Sequence, residues 1–438
     1  MRYRLPHHIE RIERGDKVLF LNPAVPSWIV TNRNGEIILS LFEGGHTIEE
    51  VANNFCDLYG EEYRSSVEGF CKKAVEEGLF DTTPRKPVLT SPYTLHTVQL
   101  SLSSRCNLHC SYCYATDRRE QGGDALSLDE YYQLIDQIFI LSPQCTVTLT
   151  GGEPLLHKEL FPIARYIKEK GGTVLLLTNG TLLDEHNIES VKEYIDKVTL
   201  SVDGSSREMH ERFRGKGSYD KLTEAIQLLQ EREIPYSLSM TVSRLNRGDV
   251  AAAAAKYGSH LSFAPLFPAG RAKGEKETMS ITGREYYETL ANANHVTPLW
   301  GCEETLDNCR DCHNNKCAIG DAELSISPTG DVYPCQLLHY PEFYIGNIRE
   351  HPLDYLYHHS PVIERCRHMT VDNIKVCRDC SIRYICGGAC RARSYHEGGD
   401  IESSSPFCEY ERLSFMNGIF DLYSHNRMEE KGGNMLSM

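Results

Sequence analysis

Three cysteines in the segment 106–114 have a spacing suited to an iron–sulfur cluster. The segment is Cys-Asn-Leu-His-Cys-Ser-Tyr-Cys-Tyr, so three and then two residues separate Cys106, Cys110 and Cys113. A [4Fe–4S] cluster normally takes four thiolates, whereas this segment supplies three. One iron would stay open to a small molecule, which indicates a catalytic cluster rather than an electron carrier. Zinc is the main alternative, because Cys-x-x-Cys pairs are also common in zinc sites.

Alternating strands and helices are predicted around this segment, from residue 97 to about 270. The strands are expected at 98–102, 146–150, 174–177, 198–202, 236–242 and 261–265. Helices are expected between them, the first beginning with a capping box at Ser127 and Glu130. Six such units predict the α/β class, with a parallel sheet curved into a partial (β/α)6 TIM-like barrel. The site should lie at the carboxyl ends of the strands.

Glycine and polar residues occupy these predicted strand ends. They are Gly151, Gly152 and Glu153 after the second strand, Asn179 after the third, and Ser201 and Asp203 at the fourth. Glycine lets backbone approach a ligand closely, and carboxylate or hydroxyl groups can bind polar parts of it. The alternative for Gly151 and Gly152 is an ordinary turn, and for Asp203 it is a turn residue before Gly204.

A second concentration of cysteines lies beyond residue 300. Seven of them follow the order Cys-x12-Gly-x4-Cys, then Cys-x2-Cys-x5-Cys-x3-Cys, and a last one after seventeen intervening residues. These are Cys317, Cys335, Cys377, Cys380, Cys386, Cys390 and Cys408. A zinc ribbon would account for residues 377–390 alone, but it would leave the other three thiols unexplained.

The loop at Cys106 resembles the signature of the radical SAM superfamily, and the seven later cysteines resemble its SPASM extension. The first resemblance implies that S-adenosylmethionine (SAM) chelates the open iron of the cluster. It also implies that Gly151, Gly152 and Glu153 bind the methionine amino group and that Tyr112 lies near the adenine. In similar enzymes, residues at the positions of Asn179, Ser201 and Asp203 contact the polar groups of SAM, with the carboxylate on the ribose.

The SPASM resemblance implies two auxiliary [4Fe–4S] clusters and therefore three clusters in all. The first would take Cys317, Cys335 and Cys390, and the second Cys377, Cys380, Cys386 and Cys408. Cys312 resembles the upstream fourth ligand of the first auxiliary cluster, while Cys309 and Cys302 are also within reach, and an open iron is the remaining alternative. Four further cysteines, Cys56, Cys71, Cys145 and Cys366, are expected to be buried structural thiols.

Residues 1–83 have the pattern of a small winged-helix-like domain. Strands are predicted at 17–21 and 27–31, a turn at 32–35, and helices after a Thr47–Glu50 capping box and at about 63–77. The domain resembles the PQQ-chaperone-like peptide-recognition domain of peptide-modifying radical SAM enzymes, which binds a leader peptide as an added strand. A plain capping domain is the alternative. Residues 84–96 are predicted to be a linker, 97–300 the barrel, 301–425 the SPASM domain and 426–438 a disordered tail.

Composition restricts the partners. The 438 residues include 46 basic and 61 acidic side chains, for a net charge of −15, which argues against nucleic acid. The sequence has no long apolar run and no secretion signal, so neither a membrane nor secretion is expected. Seventeen cysteines in short spacings favour metal binding in a reduced cytoplasm.

The resemblance implies reductive cleavage of SAM to a 5′-deoxyadenosyl radical, which removes a hydrogen atom from the substrate. The substrate is expected to be a precursor peptide with a leader segment, and the product an intramolecular thioether or carbon–carbon cross-link. A flavodoxin- or ferredoxin-type donor would supply electrons. The alternatives are formylglycine formation on a sulfatase and a non-enzymatic electron-transfer protein. In sulfatase maturases, an aspartate directly after the cysteine at position 335 serves as general base. This chain has Gln336 there, which cannot act as a general base and so counts against that alternative. The cross-link type, precursor, donor and oligomeric state are left open.

Overall fold

The computed structural model describes residues 1–25, 27–83, 95–118, 124–293 and 314–429. Its first region is a three-stranded antiparallel sheet followed by three helices. The strands are β1 (Glu10–Arg14), β2 (Lys17–Asn22) and β3 (Ser27–Asn32), in that order across the sheet. The helices are α1 (Arg33–Leu41), α2 (Ile48–Tyr59) and α3 (Arg64–Glu76).

Helix starts in this region follow their capping residues. Thr47 and Glu50 form the predicted capping box at the start of α2. The prediction of a turn at 32–35 is wrong, because Asn32 is the N-cap of α1 and its side chain accepts a hydrogen bond from Gly35 N at 3.1 Å. Asparagine followed by glycine is common in turns, but the same side chain also satisfies a free N–H group at a helix start.

The second region is the predicted α/β barrel. Six parallel strands are neighbours in chain order: β4 (Thr97–Ser103), β5 (Thr146–Gly151), β6 (Thr173–Thr178), β7 (Lys197–Val202), β8 (Tyr236–Val242) and β9 (Leu261–Pro265). The helices are α4 (Leu128–Leu141), α5 (Leu160–Glu169), α6 (Ile188–Tyr194), α7 (Arg207–Arg214), α8 (Ser218–Glu231), α9 (Val250–Tyr257), α10 (Lys276–Met279) and α11 (Gly283–Asn292). Helix α7 is an addition to the predicted pattern.

The third region adds strands to the same sheet. Strand β10 (Glu323–Ile326) pairs in parallel with β4, while β11 (Asp331–Tyr333) and β12 (Gly346–Asn347) continue the sheet in antiparallel fashion. The order across nine strands is therefore β12-β11-β10-β4-β5-β6-β7-β8-β9. The remaining helices are Leu353–His359, Pro361–His368, Lys375–Arg378, Arg383–Cys386, Arg391–Gly398 and a final helix, Cys408–Glu429.

The two faces of the barrel sheet differ in polarity. On one face, side chains such as Leu149, Leu176 and Leu200 are fully buried in one continuous apolar core with the helices. Successive residues point to opposite faces, so the other face carries hydroxyl groups. Its members include Thr148, Thr150, Thr199, Ser201, Ser237 and Ser239. The inner face of the barrel is therefore polar near the carboxyl ends of its strands, which suits a polar ligand bound there.

Alternation along β2 and β3 lets the N-terminal sheet pack on two sides. Val18, Phe20 and Ile29 face the helices of their own region. Leu19, Leu21 and Trp28 face the other way, against apolar side chains of the final helix and of the segment 382–386. Cys380 and Cys386 are partly buried against this second cluster.

The final helix runs to Glu429, inside the segment expected to be disordered, and residues 430–438 lie outside the described part, as do 84–94 of the predicted linker. Within the described ranges, no helix is long and apolar enough to cross a membrane. The predicted domain boundaries stay predictions.

Candidate active site

Backbone contacts between the ends of β4 and β5 hold the first cysteine loop. Gly152 N donates to Ser103 O at 2.6 Å, and Glu153 N donates to Arg105 O at 2.8 Å. A Cβ atom on Gly151 or Gly152 would lie within 3.0 Å of the backbone of Ser103 or Arg105, and Gly151 has a φ of +141°. The two glycines are therefore required for packing against the cysteine loop. Their predicted contact with SAM stays a prediction.

The three thiols of this loop are partly exposed and lie close enough to interact electrostatically. Burial raises the pKa of Cys110, Arg214 acts in the opposite direction, and the neighbouring Cys113 and Cys106 raise it further. Leu108 N lies 3.4 Å from Cys106 Sγ, as a donor to it. Iron is bound by thiolates, so cluster assembly would release the Cys110 proton. Three neighbouring thiols with no fourth in the loop fit the donor set of a three-cysteine cluster.

Glu153 is a structural carboxylate rather than an open ligand. Its side chain is completely buried and accepts hydrogen bonds from Thr178 Oγ1 at 2.6 Å, Asn179 N at 2.9 Å and Leu155 N at 3.2 Å. Burial raises its pKa, and these hydrogen bonds act in the opposite direction. It therefore joins the ends of β5 and β6. Its predicted contact with the amino group of SAM stays a prediction.

Asn179 connects the end of β6 to the cysteine loop. Its Nδ2 donates to Asn107 Oδ1 at 3.0 Å and lies 3.9 Å from Cys106 Sγ. Its Oδ1 accepts from Thr181 N at 2.9 Å. An amide donor beside a ligand thiolate is the kind of contact that adjusts cluster potential. The side chain of Asn179 therefore lies next to Cys106, a predicted ligand of the cluster.

Asp203 is fully buried in an ion pair with Arg214 of α7. It also accepts a hydrogen bond from the hydroxyl of Tyr112, and Arg214 Nη2 donates to the same hydroxyl at 2.8 Å. Burial raises the pKa of Tyr112 well above its usual value, so the phenol stays protonated. Asp203 thereby positions the ring of Tyr112 inside the cysteine loop. Its predicted contact with the ribose of SAM stays a prediction.

Arg214 is the functional residue that sequence reasoning missed. It is a buried guanidinium whose charge interacts with that of Cys110. The signal for it was weak, because α7 has only eight residues and few apolar ones. Ser201 is half-buried opposite Ser239 on the polar face of β7 and β8, below the same strand ends.

The later cysteines come together in the two predicted sets. Cys335 interacts electrostatically with Cys317 and Cys390, and its pKa is raised well above the usual value by burial. In the second set, Cys377 interacts with Cys380 and Cys408, and Cys386 with Cys408. Cys302, Cys309 and Cys312 lie outside the described residues, so the fourth ligand of the first set stays a prediction. Within the described chain, no three His, Cys, Asp or Glu side chains surround a single-ion site.

The four cysteines expected to be structural are all buried, and burial raises the pKa of each: Cys56, Cys71, Cys145 and Cys366. Cys366 has a distinct position, because it packs in one apolar cluster with Cys317, Cys335 and Cys390.

Comparison with known families agrees with this arrangement. Residues 100–256 match the Radical SAM superfamily, and residues 317–381 match SPASM, an iron–sulfur cluster-binding domain. The chain contains a radical SAM domain and a SPASM domain. These two domains imply [4Fe–4S] clusters and SAM as cofactors, and the predicted partial barrel is confirmed.

Proteins similar to this chain have names that indicate different pathways. The AdoMet-dependent heme synthase of Methanosarcina barkeri is 28% identical over 340 residues, which are 70% of this chain and 95% of that protein. The antilisterial bacteriocin subtilosin biosynthesis protein AlbA of Bacillus subtilis is 27% identical over 364 residues, 76% of this chain and 77% of AlbA. The structure of Streptococcus suis SuiB bound to its precursor peptide SuiA has a TM-score of 0.54 and 16% identity, over 92% of this chain and 99% of SuiB.

Proposed function

We propose that this enzyme is a radical SAM peptide maturase, which recognises a precursor peptide and forms an intramolecular thioether or carbon–carbon cross-link in it. One observation carries the proposal. The fold shared with peptide-bound SuiB extends over 92% of this chain, whereas the sequence match to the heme synthase covers 70%. The fold shared with SuiB therefore extends over more of this chain than the sequence match to the heme synthase does.

The N-terminal region is the proposed leader-binding domain. In the described residues, the outer edges of β1 and β3 have no strand partner, so either edge can accept an extended peptide. The sheet also packs on the final helix through Trp28 and Phe415, whose ring centroids are 5.7 Å apart and perpendicular. A leader bound at this sheet would be held next to the SPASM domain.

The barrel residues would hold the cofactors at the strand ends. When bound, the N-terminal cluster and SAM would supply a radical that removes one hydrogen atom from the peptide. Cys106, Cys110 and Cys113 would bind the cluster, and Asn179 would donate toward Cys106. The ion pair of Arg214 with Asp203 would keep Tyr112 in place beside the cluster loop.

The second electron of the oxidation would leave through the SPASM domain. Forming each cross-link removes two hydrogens in total, one as an atom and one as a proton together with an electron for an auxiliary cluster. Tyr114 follows Cys113 and donates to Oε1 of Gln336 at 3.1 Å, and Gln336 follows Cys335. One hydrogen bond thus joins the loops of two predicted clusters. An amide at this position disfavours formylglycine formation, since it is no general base.

The proposal is tested by incubating the anaerobically reconstituted enzyme with SAM, a reductant and a precursor peptide encoded beside its gene. Mass spectrometry should find a product lighter by two hydrogens per cross-link, together with 5′-deoxyadenosine. The variant Cys110→Ala is the control and should form neither. Deoxyadenosine without a change in peptide mass would reject the substrate assignment while leaving the radical chemistry intact.

Heme synthesis is the second candidate, because the heme synthases match this chain over nearly their whole length. The same reaction should therefore be repeated with an iron porphyrin in place of the peptide. Conversion of the porphyrin with no change in the peptide would favour heme synthesis. Peptide modification with unchanged porphyrin is the result we expect.

A further inference from the structure

A segment that follows the last barrel strand contacts the first cysteine loop. Arg271 N donates to Cys113 O at 3.1 Å, and Arg271 Nη1 donates to Cys110 O at 2.6 Å. The other terminal nitrogen, Nη2, lies 2.9 Å from His109 Nδ1. One residue after β9 therefore makes three hydrogen bonds to the loop that follows β4, across the open end of the barrel.

The residues beside Arg271 keep this contact in place. Gly270 has a φ of +56°, and a Cβ atom there would lie within 3.0 Å of Cys113 O. Ala272 is completely buried and packs with Leu266 and Met279, in a small cluster that also includes the ring of Tyr112. The backbone is thus closely packed on one side of Arg271 and buried on the other.

The chemistry of the contact requires arginine. A guanidinium is planar and presents several N–H donors in a rigid fork, so it can bind two separate acceptors at once. Guanidinium nitrogens only donate, so His109 Nδ1 is the acceptor in this contact. A lysine could replace the charge of Arg271 but not both side-chain hydrogen bonds.

We propose that Arg271 is a positioning residue for the N-terminal [4Fe–4S] cluster, acting through the loop that bears Cys106, Cys110 and Cys113. Its hydrogen bonds hold the carbonyl groups of two ligand residues, which maintains the spacing of the thiols. Its charge favours the reduced cluster, since reduction by an external one-electron donor adds negative charge. Neither effect depends on which substrate the enzyme takes.

The test compares Arg271→Gln and Arg271→Lys with wild type, and with Arg247→Gln as a matched control, since Arg247 pairs with Glu285 at 3.2 Å. The N-terminal cluster is monitored by electron paramagnetic resonance, through the signal that changes when SAM is added. This signal is recorded during a potentiometric titration and during iron removal by a chelator. The auxiliary signals, which SAM leaves unchanged, report whether each variant has folded.

Arg271→Gln should lower the ratio of reduced to oxidised cluster about tenfold at a given potential, a shift of about 59 mV. It should also release iron several-fold faster. Arg271→Lys should retain the potential but release iron as fast as the glutamine variant. Wild-type potential and wild-type iron release in Arg271→Gln would overturn the proposal, and so would equal changes in Arg247→Gln. Loss of the auxiliary signals in Arg271→Gln would mean that this variant does not fold, and Arg271→Lys would then decide. Iron release from Arg271→Lys at the wild-type rate would overturn the proposal.

Discussion

Replacement of Trp28 by alanine should detach the N-terminal region from the SPASM domain. The indole is 2% exposed and contacts Phe415 of the final helix. Removing a buried tryptophan side chain costs about 3–5 kcal/mol, which corresponds to a factor of about 10² to 10³ or more in the docked-to-undocked ratio. Because Cys380 and Cys386 are partly buried against the same apolar cluster, undocking should also expose the second auxiliary cluster.

Two measurements check this prediction. Limited proteolysis should cut Trp28→Ala much faster than wild type, and oxygen should bleach the second auxiliary cluster faster. Phe415→Ala removes the other half of the contact and should give the same result. Phe55→Ala destabilises the opposite side of the N-terminal region, against its own helices, and should leave the cluster protected if only the interface matters.

Trp28→Phe separates packing from hydrogen bonding. Within the described residues, Trp28 Nε1 is buried without a hydrogen-bond partner. Phenylalanine keeps an aromatic ring at the interface and removes an unsatisfied donor that costs about 1–3 kcal/mol. The variant should therefore be close to wild type in both assays. The reasoning would be refuted if Trp28→Ala underwent proteolysis and bleaching at wild-type rates.

Three further substitutions test the site. Burial raises the pKa of Glu323 from 4.5 to about 7, so the wild-type protein loses up to about 3 kcal/mol of stability as the pH rises through this range. Glu323→Gln removes the ionisable group and should raise the melting temperature at pH 8, with a smaller increase toward pH 5. Gly152→Ala should reduce SAM cleavage at least tenfold by displacing Arg105, with the auxiliary cluster spectra unchanged. Asp203→Asn should cost about 3–5 kcal/mol in thermal unfolding, because Arg214 stays buried without its carboxylate.

Controls for these substitutions come from exposed positions. Gly248→Ala places a methyl group where no atom lies within 4 Å and should leave SAM cleavage unchanged. Asp220→Asn breaks the exposed pair with Arg207 and should leave thermal unfolding close to wild type. A large effect of either control would show that the corresponding site variant is not specific. If the melting temperature of Glu323→Gln equalled that of wild type at every pH, the raised pKa of Glu323 would be contradicted.

Local signals in the sequence were sufficient for the strands, while the assignment of the later thiols to two clusters stays a prediction. Strand β8 and strand β9 have the predicted bounds, because apolar residues alternate with small residues between clear helical segments. The two later cysteine sets interact within themselves as the SPASM resemblance implied. In each case a pattern within a few residues, or a fixed spacing, carries the information.

The features that were missed depend on distant partners. The buried state of Asp203 depends on Arg214, and that of Glu153 on the end of β6, so neither could be distinguished from an open carboxylate by its neighbours in sequence. Arg271 is an ordinary basic residue in a glycine-containing loop until the barrel brings it to Cys110. The pairing of β10 with β4 likewise has no local signal, because four residues of a short strand match many partners.

The pairing of β10 with β4 affects how the protein can be made. Strand β4 leads into the Cys106 loop, yet one of its two neighbours is formed from Glu323 onward, long after the rest of the barrel has left the ribosome. Until then the nascent chain exposes an unpaired strand edge, to which other chains can add. Complete synthesis of the SPASM strands should therefore precede a properly enclosed first cluster, and a chain truncated before residue 323 should aggregate rather than yield a small working barrel.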